Sequence, residues 1–360
     1  MIVWPEVVST VVDVDGVAMS ALVAEPDQEP KAVILALHGG ATNARYFDCP
    51  GHRTLSLLHT GAAAGFTVVA LDRPGYGSSA GDPDAMNRPH QRAALAYGAL
   101  DRILAQRPRG AGVFIMGHSN GCELAMWMAT ETRGAELLGI ELAGTGWHYQ
   151  PEAREILTTA TGEHRWVGLY DLLWHPQRLY PPEVLNAAII SSSAPAYEEQ
   201  MMADWTRRTF LELVPAVRVP VHFSIAQHEK VWQRDSSALD EIAVLFSGAR
   251  GSSCMNNPRP DTTSAWATLP ATTTRQSCRL SSNVWPNGWP TRNKMSISRP
   301  SESWIHRTGA SGPINGRQTT TASPVSGAAA RRPLVWFLKD FRIERPPPGY
   351  LRCALQKTRQ

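Results

Sequence analysis

Three short apolar runs constrain this 360-residue chain more than any other feature. Lys31–Leu37 (KAVILAL), Phe66–Leu71 (FTVVAL) and Gly112–Met116 (GVFIM) carry apolar side chains with little alternation. A strand exposed on one face alternates apolar with polar, so runs of this kind predict strands buried on both faces. Each run stops at glycine: His38-Gly39-Gly40, Asp72-Arg73-Pro74-Gly75-Tyr76-Gly77-Ser78, and Gly117-His118-Ser119-Asn120-Gly121. Helical spacing follows in between, around Leu55–Ala64, over 88–107 with Leu95, Leu100, Ile103 and Leu104 in phase, and from Cys122 to Thr130. Leu138–Leu142 and Val219–Ile225 read as two further strands. Strands alternating with helices predict an α/β fold: a mostly parallel sheet covered on both faces.

Two segments depart from that alternation. At the start, Val7–Val14 and Val17–Ala24 flank Asp15-Gly16, a dipeptide suited to a hairpin turn with positive φ at both central residues. An antiparallel hairpin therefore precedes the parallel strands. Between the fourth and fifth strands, residues 146–215 are too long for a simple crossover. They hold Trp147, Tyr149, Trp166, Tyr170, Trp174, Tyr180, Tyr197 and Trp205. This insert reads as a helical cap, whose aromatics either meet a bulky apolar ligand or pack the cap onto the sheet. The core is then 1–145 and 216–250.

Chemistry centres on Gly117-His118-Ser119-Asn120-Gly121. A G-x-S-x-G pattern alone is weak, but here it lies between a buried strand and an apolar-faced helix. A sharp strand-to-helix turn strains the central residue and needs small neighbours. It holds the Ser119 hydroxyl clear of the sheet at the positive end of a helix. His38-Gly39-Gly40 supplies a second element, since a glycine lets the backbone aim an N–H at a developing oxyanion. The expected donors are the N–H groups of Gly40 (or Ala41) and of Asn120.

Taken together these residues resemble the α/β-hydrolase fold over roughly 7–246: hairpin, strand-HGG, strand-DxPGxGxS, strand-GxSxG-helix, cap, strand, acid. The resemblance implies that Asp72–Ser78 is a structural loop. It places the acid of a Ser-acid-His triad after the strand at Val219–Ile225, where Glu229 stands in Ala226-Gln227-His228-Glu229 instead of a Gly-x-x-Asp pattern; Asp235 and Asp240 are the alternatives. The histidine should follow the acid, and His306 is the one histidine that does. No strand or glycine turn leads into it, and His148, His164, His175, His222 and His228 lie upstream, in the wrong topological position. A serine hydrolase of this kind cleaves carboxylic esters, thioesters or lactones, with no metal and no organic cofactor. Relatives that open antibiotic macrolactones or release polyketide thioesters suggest a small apolar ester or lactone as substrate.

Composition sets residues 251–360 apart. Residues 1–250 carry 19 Lys+Arg against 28 Asp+Glu, and 251–360 carry 16 against 4. Only seven Leu, Ile, Val and Phe occur in 251–330, too few to offset backbone ordering, so a basic tail of low order is expected and the sheet should end near Ile225. A shift of reading frame would produce such a change; read one nucleotide earlier, codons for Asp261–Trp266 can encode a Gly-His turn. A basic arm for nucleic acid or an anionic surface is the other reading. The lack of aromatic–basic interleaving and the acidic core argue against it. A non-catalytic binding protein on a hydrolase scaffold is a third. The five cysteines (Cys49, Cys122, Cys254, Cys278, Cys353) show no paired spacing and fit a reducing, cytoplasmic compartment. No signal peptide, membrane span or internal repeat is expected.

Overall fold

A computed structural model describes residues 4–81, 86–158, 168–185, 189–249 and, in backbone, 253–257; all of them fall in one compact unit of the chain. The hairpin forms as the turn chemistry requires. β1 (Val7–Val14) pairs antiparallel with β2 (Val17–Ala24), and Asp15 and Gly16 take φ of 53° and 87°. The apolar runs become β3 (Val33–Leu37), β4 (Thr67–Leu71) and β5 (Val113–His118), followed by β6 (Gly139–Ala143) and β7 (Val221–Ala226). Every residue of β3, β4 and β6 is buried, as strands covered on both faces demand.

The sheet has eight strands in the order β1-β2-β4-β3-β5-β6-β7-β8. From β4 to β8 all neighbours are parallel. Their carboxyl ends therefore share one edge, and the loops after β3, β4, β5 and β7 come together there, the usual place for a site in such sheets. The expectation that the sheet ends near Ile225 is corrected by β8, Ser253–Asn257, which pairs parallel with β7 from His222↔Ser253 to Ala226↔Asn257. Ladder hydrogen bonds come from the backbone, so an unpaired strand edge can recruit a polar segment that composition alone would leave irregular. The rest of 251–360, with His306 and the Gly-His codons, lies outside the described residues, as do His164 and Trp166.

One face of the sheet packs against α2 (Pro89–Leu104) and α3 (Gly121–Thr130). Proline at the first position starts α2, and the in-phase Leu95, Leu100, Ile103 and Leu104 are all buried. The other face packs against α1 (Leu57–Ala63), which starts at a Ser56 cap whose side-chain oxygen accepts the His59 N–H. Between β6 and β7 the described chain is helical: α4 (Pro151–Thr158), α5 (Leu169–Leu173), α6 (Pro182–Leu185), α7 (Tyr197–Asp204), a π turn at Trp205–Thr209, and α8 (Phe210–Leu213). Its aromatics largely serve packing. Trp174 and Tyr180 join the core on the α1 side, while Trp205 stacks edge-on to Phe210 at 5.3 Å and donates to the Gly146 carbonyl. α9 (Ser236–Leu245) follows β7.

Candidate active site

Ser119 lies between β5 and α3 with φ of 51°, in the left-handed region that ordinary residues avoid. The flanking glycines make that turn possible. A Cβ on Gly121 would lie 2.2 Å from the Leu37 carbonyl oxygen, and one on Gly117 would lie 2.8 Å from the Gly121 carbonyl oxygen. The Ser119 N–H donates to the Ala143 carbonyl at 2.9 Å, which ties the turn to the end of β6. Asn120 stands at the N-cap position of α3 without a side-chain capping bond, so its N–H precedes the helix and has no acceptor within it. Ser119 and Asn120 are both half-buried.

The loop after β3 lies against this turn. A Cβ on Gly39 would lie 3.2 Å from the Ser119 Cβ, and one on Gly40 would lie 2.6 Å from Asn120 Nδ2. Three donors hold the Gly39 carbonyl: His38 Nδ1 at 2.8 Å, Arg73 Nη2 at 2.9 Å and Thr42 Oγ1 at 3.0 Å. Because the peptide is planar and trans, fixing that carbonyl aims the Gly40 N–H the opposite way. The Ala41 N–H is already used, donating to the Tyr76 hydroxyl at 2.9 Å. Of the two expected positions, Gly40 is thus the one whose N–H is directed away from these donors.

His38 is a structural part of this loop. The Arg73 backbone N–H donates to its Nε2 at 3.1 Å, so the proton sits on Nδ1 and the ring is neutral. Burial, then the nearby Arg73 charge, push its pKa well down. Arg73 is itself buried and pairs with Glu198 of α7, its Nη2 2.5 Å from Glu198 Oε1. Arg73 was legible only as part of a structural loop, and Glu198 carried no motif at all.

Glu229 stands on the turn after β7, where its N–H donates to the Ala226 carbonyl at 3.1 Å. Its buried carboxylate accepts the Val231 N–H at 2.7 Å, with the Trp232 N–H at 3.4 Å. Burial raises its pKa to about 7, against the backbone donors that favour the charged form. Asp235 instead caps α9, accepting the Ala238 N–H, and Asp240 is exposed on that helix. Ser119 follows β5 and Glu229 follows β7, and those two strands lie two strand spacings apart, about 10 Å. Of the upstream histidines, His148 lies 3.6 Å from Glu241, His222 pairs with Glu141, and His175 faces His228 with ring centroids 6.2 Å apart. Among the described residues no group of side chains is arranged to hold a metal ion, and no helix is long and apolar enough to cross a membrane.

No curated protein matches the chain in sequence. In fold it is similar to a Bacillus subtilis protein described as a hydrolase, at 11% identity over 73% of this chain and 88% of that one, with a TM-score of 0.51. A carboxyl esterase from Bacillus coagulans aligns at 17% identity over 69% and 88%, with a TM-score of 0.48. An N-acyl homoserine lactonase aligns at 16% over 70% and 89%, with a TM-score of 0.49. Residues 33–310 match the alpha/beta hydrolase family, and the chain belongs to it.

Proposed function

We propose that this member of the alpha/beta hydrolase family is a serine hydrolase that cleaves a carboxylic ester, thioester or lactone through an acyl-enzyme. One observation carries the reading: Ser119 is held at φ 51° between a strand and a helix, beside glycines where any Cβ would clash with backbone. Such strain persists only where the surroundings enforce it, and it clusters at sites of chemistry. The Ser119 oxygen attacks the substrate carbonyl carbon while its proton passes to an imidazole. The carbonyl oxygen, now negative, accepts from the N–H groups of Gly40 and Asn120. One donor of this kind is worth about 3–4 kcal/mol. Collapse expels the alcohol, thiol or ring oxygen with that proton, and water then frees the acyl group from Ser119.

Glu229 is the acid of this triad, orienting the imidazole and stabilising it when charged. A carboxyl held near pKa 7 by burial favours a cationic neighbour, and the gap of about 10 Å between the β5 and β7 ends is of a size for an imidazole between two side chains. His306, the one histidine after Glu229, lies outside the described residues. The lack of histidine between Glu229 and the end of β8 favours, as second reading, a hydrolase-like binding protein without turnover. The finer substrate proposal, a macrolactone or polyketide thioester, draws on the aromatic content of the insert and on family analogy. Cysteine usage supports a reducing, cytoplasmic setting.

A fluorophosphonate probe and a p-nitrophenyl ester test the proposal together. Label on Ser119 by mass spectrometry, with turnover abolished in Ser119→Ala, is expected. Label elsewhere removes Ser119 as the nucleophile, and substrate binding without label or turnover supports the binding-protein reading.

A further inference from the structure

Glu198 sits in the first turn of α7, within the insert, and is 3% exposed. Both carboxylate oxygens are engaged. Oε1 accepts from Arg73 Nη2 at 2.5 Å, and Oε2 accepts from Asn120 Nδ2 at 3.1 Å. The Tyr76 hydroxyl oxygen accepts the Ala41 N–H at 2.9 Å, and this tyrosine lies near enough to Glu198 to feel its charge. A Cβ on Gly40 would lie 3.1 Å from Glu198 Oε2, so the carboxylate lies against the Gly40 backbone. One side chain of the insert thus reaches the loop after β3, the loop after β4 and the turn that bears Ser119.

We propose that Glu198 is a positioning residue that couples docking of the insert to the aim of the Gly40 and Asn120 N–H groups. The proposal rests on the reading of those two groups as the oxyanion donors. Arg73 Nη2 spans Glu198 and the Gly39 carbonyl, and that carbonyl sets the direction of the Gly40 N–H through the peptide plane. On the other side of Gly40, the Tyr76 hydroxyl holds the Ala41 N–H. The peptide before Gly40 is therefore held by Arg73, which Glu198 holds, and the one after it by Tyr76. Burial opposes the charge on Arg73 and Glu198 overcomes it, so the guanidinium stays charged. The pair is neutral as a whole, and no uncompensated carboxylate opposes a negative oxygen forming beside Gly40. Without Glu198 the guanidinium is left buried and unpaired, which draws it toward water and away from the Gly39 carbonyl.

The test uses the full chain with Glu198→Gln and with the double variant Arg73→Met/Glu198→Leu. The double variant removes both charges at similar volume and so keeps the fold where the single variant loses it. Hydrogen exchange of peptides covering 38–43 is measured alongside kcat and KM on a p-nitrophenyl ester. Faster exchange confined to that loop is expected, with β3 and β5 unchanged. A fall in kcat of about 100-fold at nearly constant KM should accompany it, the scale of a donor misplaced by about 1 Å. Unchanged loop exchange, unchanged or raised kcat, or faster exchange spread through the sheet would each overturn the proposal. If the unaltered chain neither labels at Ser119 nor turns over, the hydrolase reading fails on its own, and loop exchange in the variants still decides whether Glu198 positions the loop.

Discussion

Replacing Glu229 by glutamine separates the charge of this buried group from its shape. Burial lifts its pKa from an ordinary 4.5 to about 7, with backbone donors at Val231, Trp232 and Lys230 pulling the other way. Between those values the folded chain keeps a proton that the unfolded chain has released. The associated stability is thus fully present below pH 4.5 and is lost as pH rises through 7. The gap corresponds to roughly 3 kcal/mol at pH 8 and to less than about 1 kcal/mol at pH 5. Glutamine does not ionise, and its Oε1 still accepts the Val231 N–H. Its stability relative to the parent should therefore grow by about 2–3 kcal/mol between pH 5 and pH 8. Any fixed cost of the buried amide cancels in that difference. Urea unfolding of both proteins at the two pH values measures it. A flat difference would mean that a cation already neutralises the carboxylate in the folded chain, and it would refute the reasoning. On the proposed triad, kcat of the same variant should fall by several orders of magnitude with KM nearly constant, because an acid in that role acts on the imidazole and touches no substrate. A near-normal kcat would move the acid role to Asp235 or elsewhere.

Two further substitutions probe strain and buried charge. Ser119→Gly should raise stability in urea by about 1 kcal/mol, since glycine adopts φ 51° without the Cβ clash, while removing all probe labelling; a loss of stability would show that the turn stores no strain. Arg92 is buried, donates to Glu123 Oε1 at 2.8 Å and to the Met86 carbonyl, and lies over the Tyr197 ring at 4.2 Å. Arg92→Ala should cost about 3–5 kcal/mol, and Arg92→Met/Glu123→Leu should recover most of it. Equal losses in the single and double variants would mean that the pair contributes by packing and not by charge.

The core was legible because its signals are local. Asp15-Gly16, the apolar runs of β3 and β4, and the glycines around Ser119 each specify their own backbone within a few residues, so these strands and the turn at Ser119 follow from short windows. β8 was not legible, because Ser253–Asn257 forms a strand only through the open edge of β7, and no side-chain pattern announces backbone pairing. The aromatics of the insert were ambiguous for a related reason. A tryptophan that packs onto a sheet and one that lines a ligand site look alike in sequence, and only the burial of Trp174 and Trp205 separates them.

Glu198 shows where sequence reading stops. Its partners Arg73 and Asn120 lie 125 and 78 residues away, on a different loop and a different turn, and nothing near Tyr197–Asp204 marks one glutamate from the next. Glu199 beside it faces solvent, and the helix phase alone sends Glu198 inward. Once inside, it needs a cation, because a buried carboxylate without one is too costly. Arg73 meets that need only because its loop ends β4 at the same sheet edge that bears Ser119 and Gly40. Each step is forced by the one before it, yet the chain begins with the fold. A reader of residues reaches the proposed nucleophile from five letters, but reaches the group proposed to aim the loop after β3 only after the parallel strands have brought four loops to one edge.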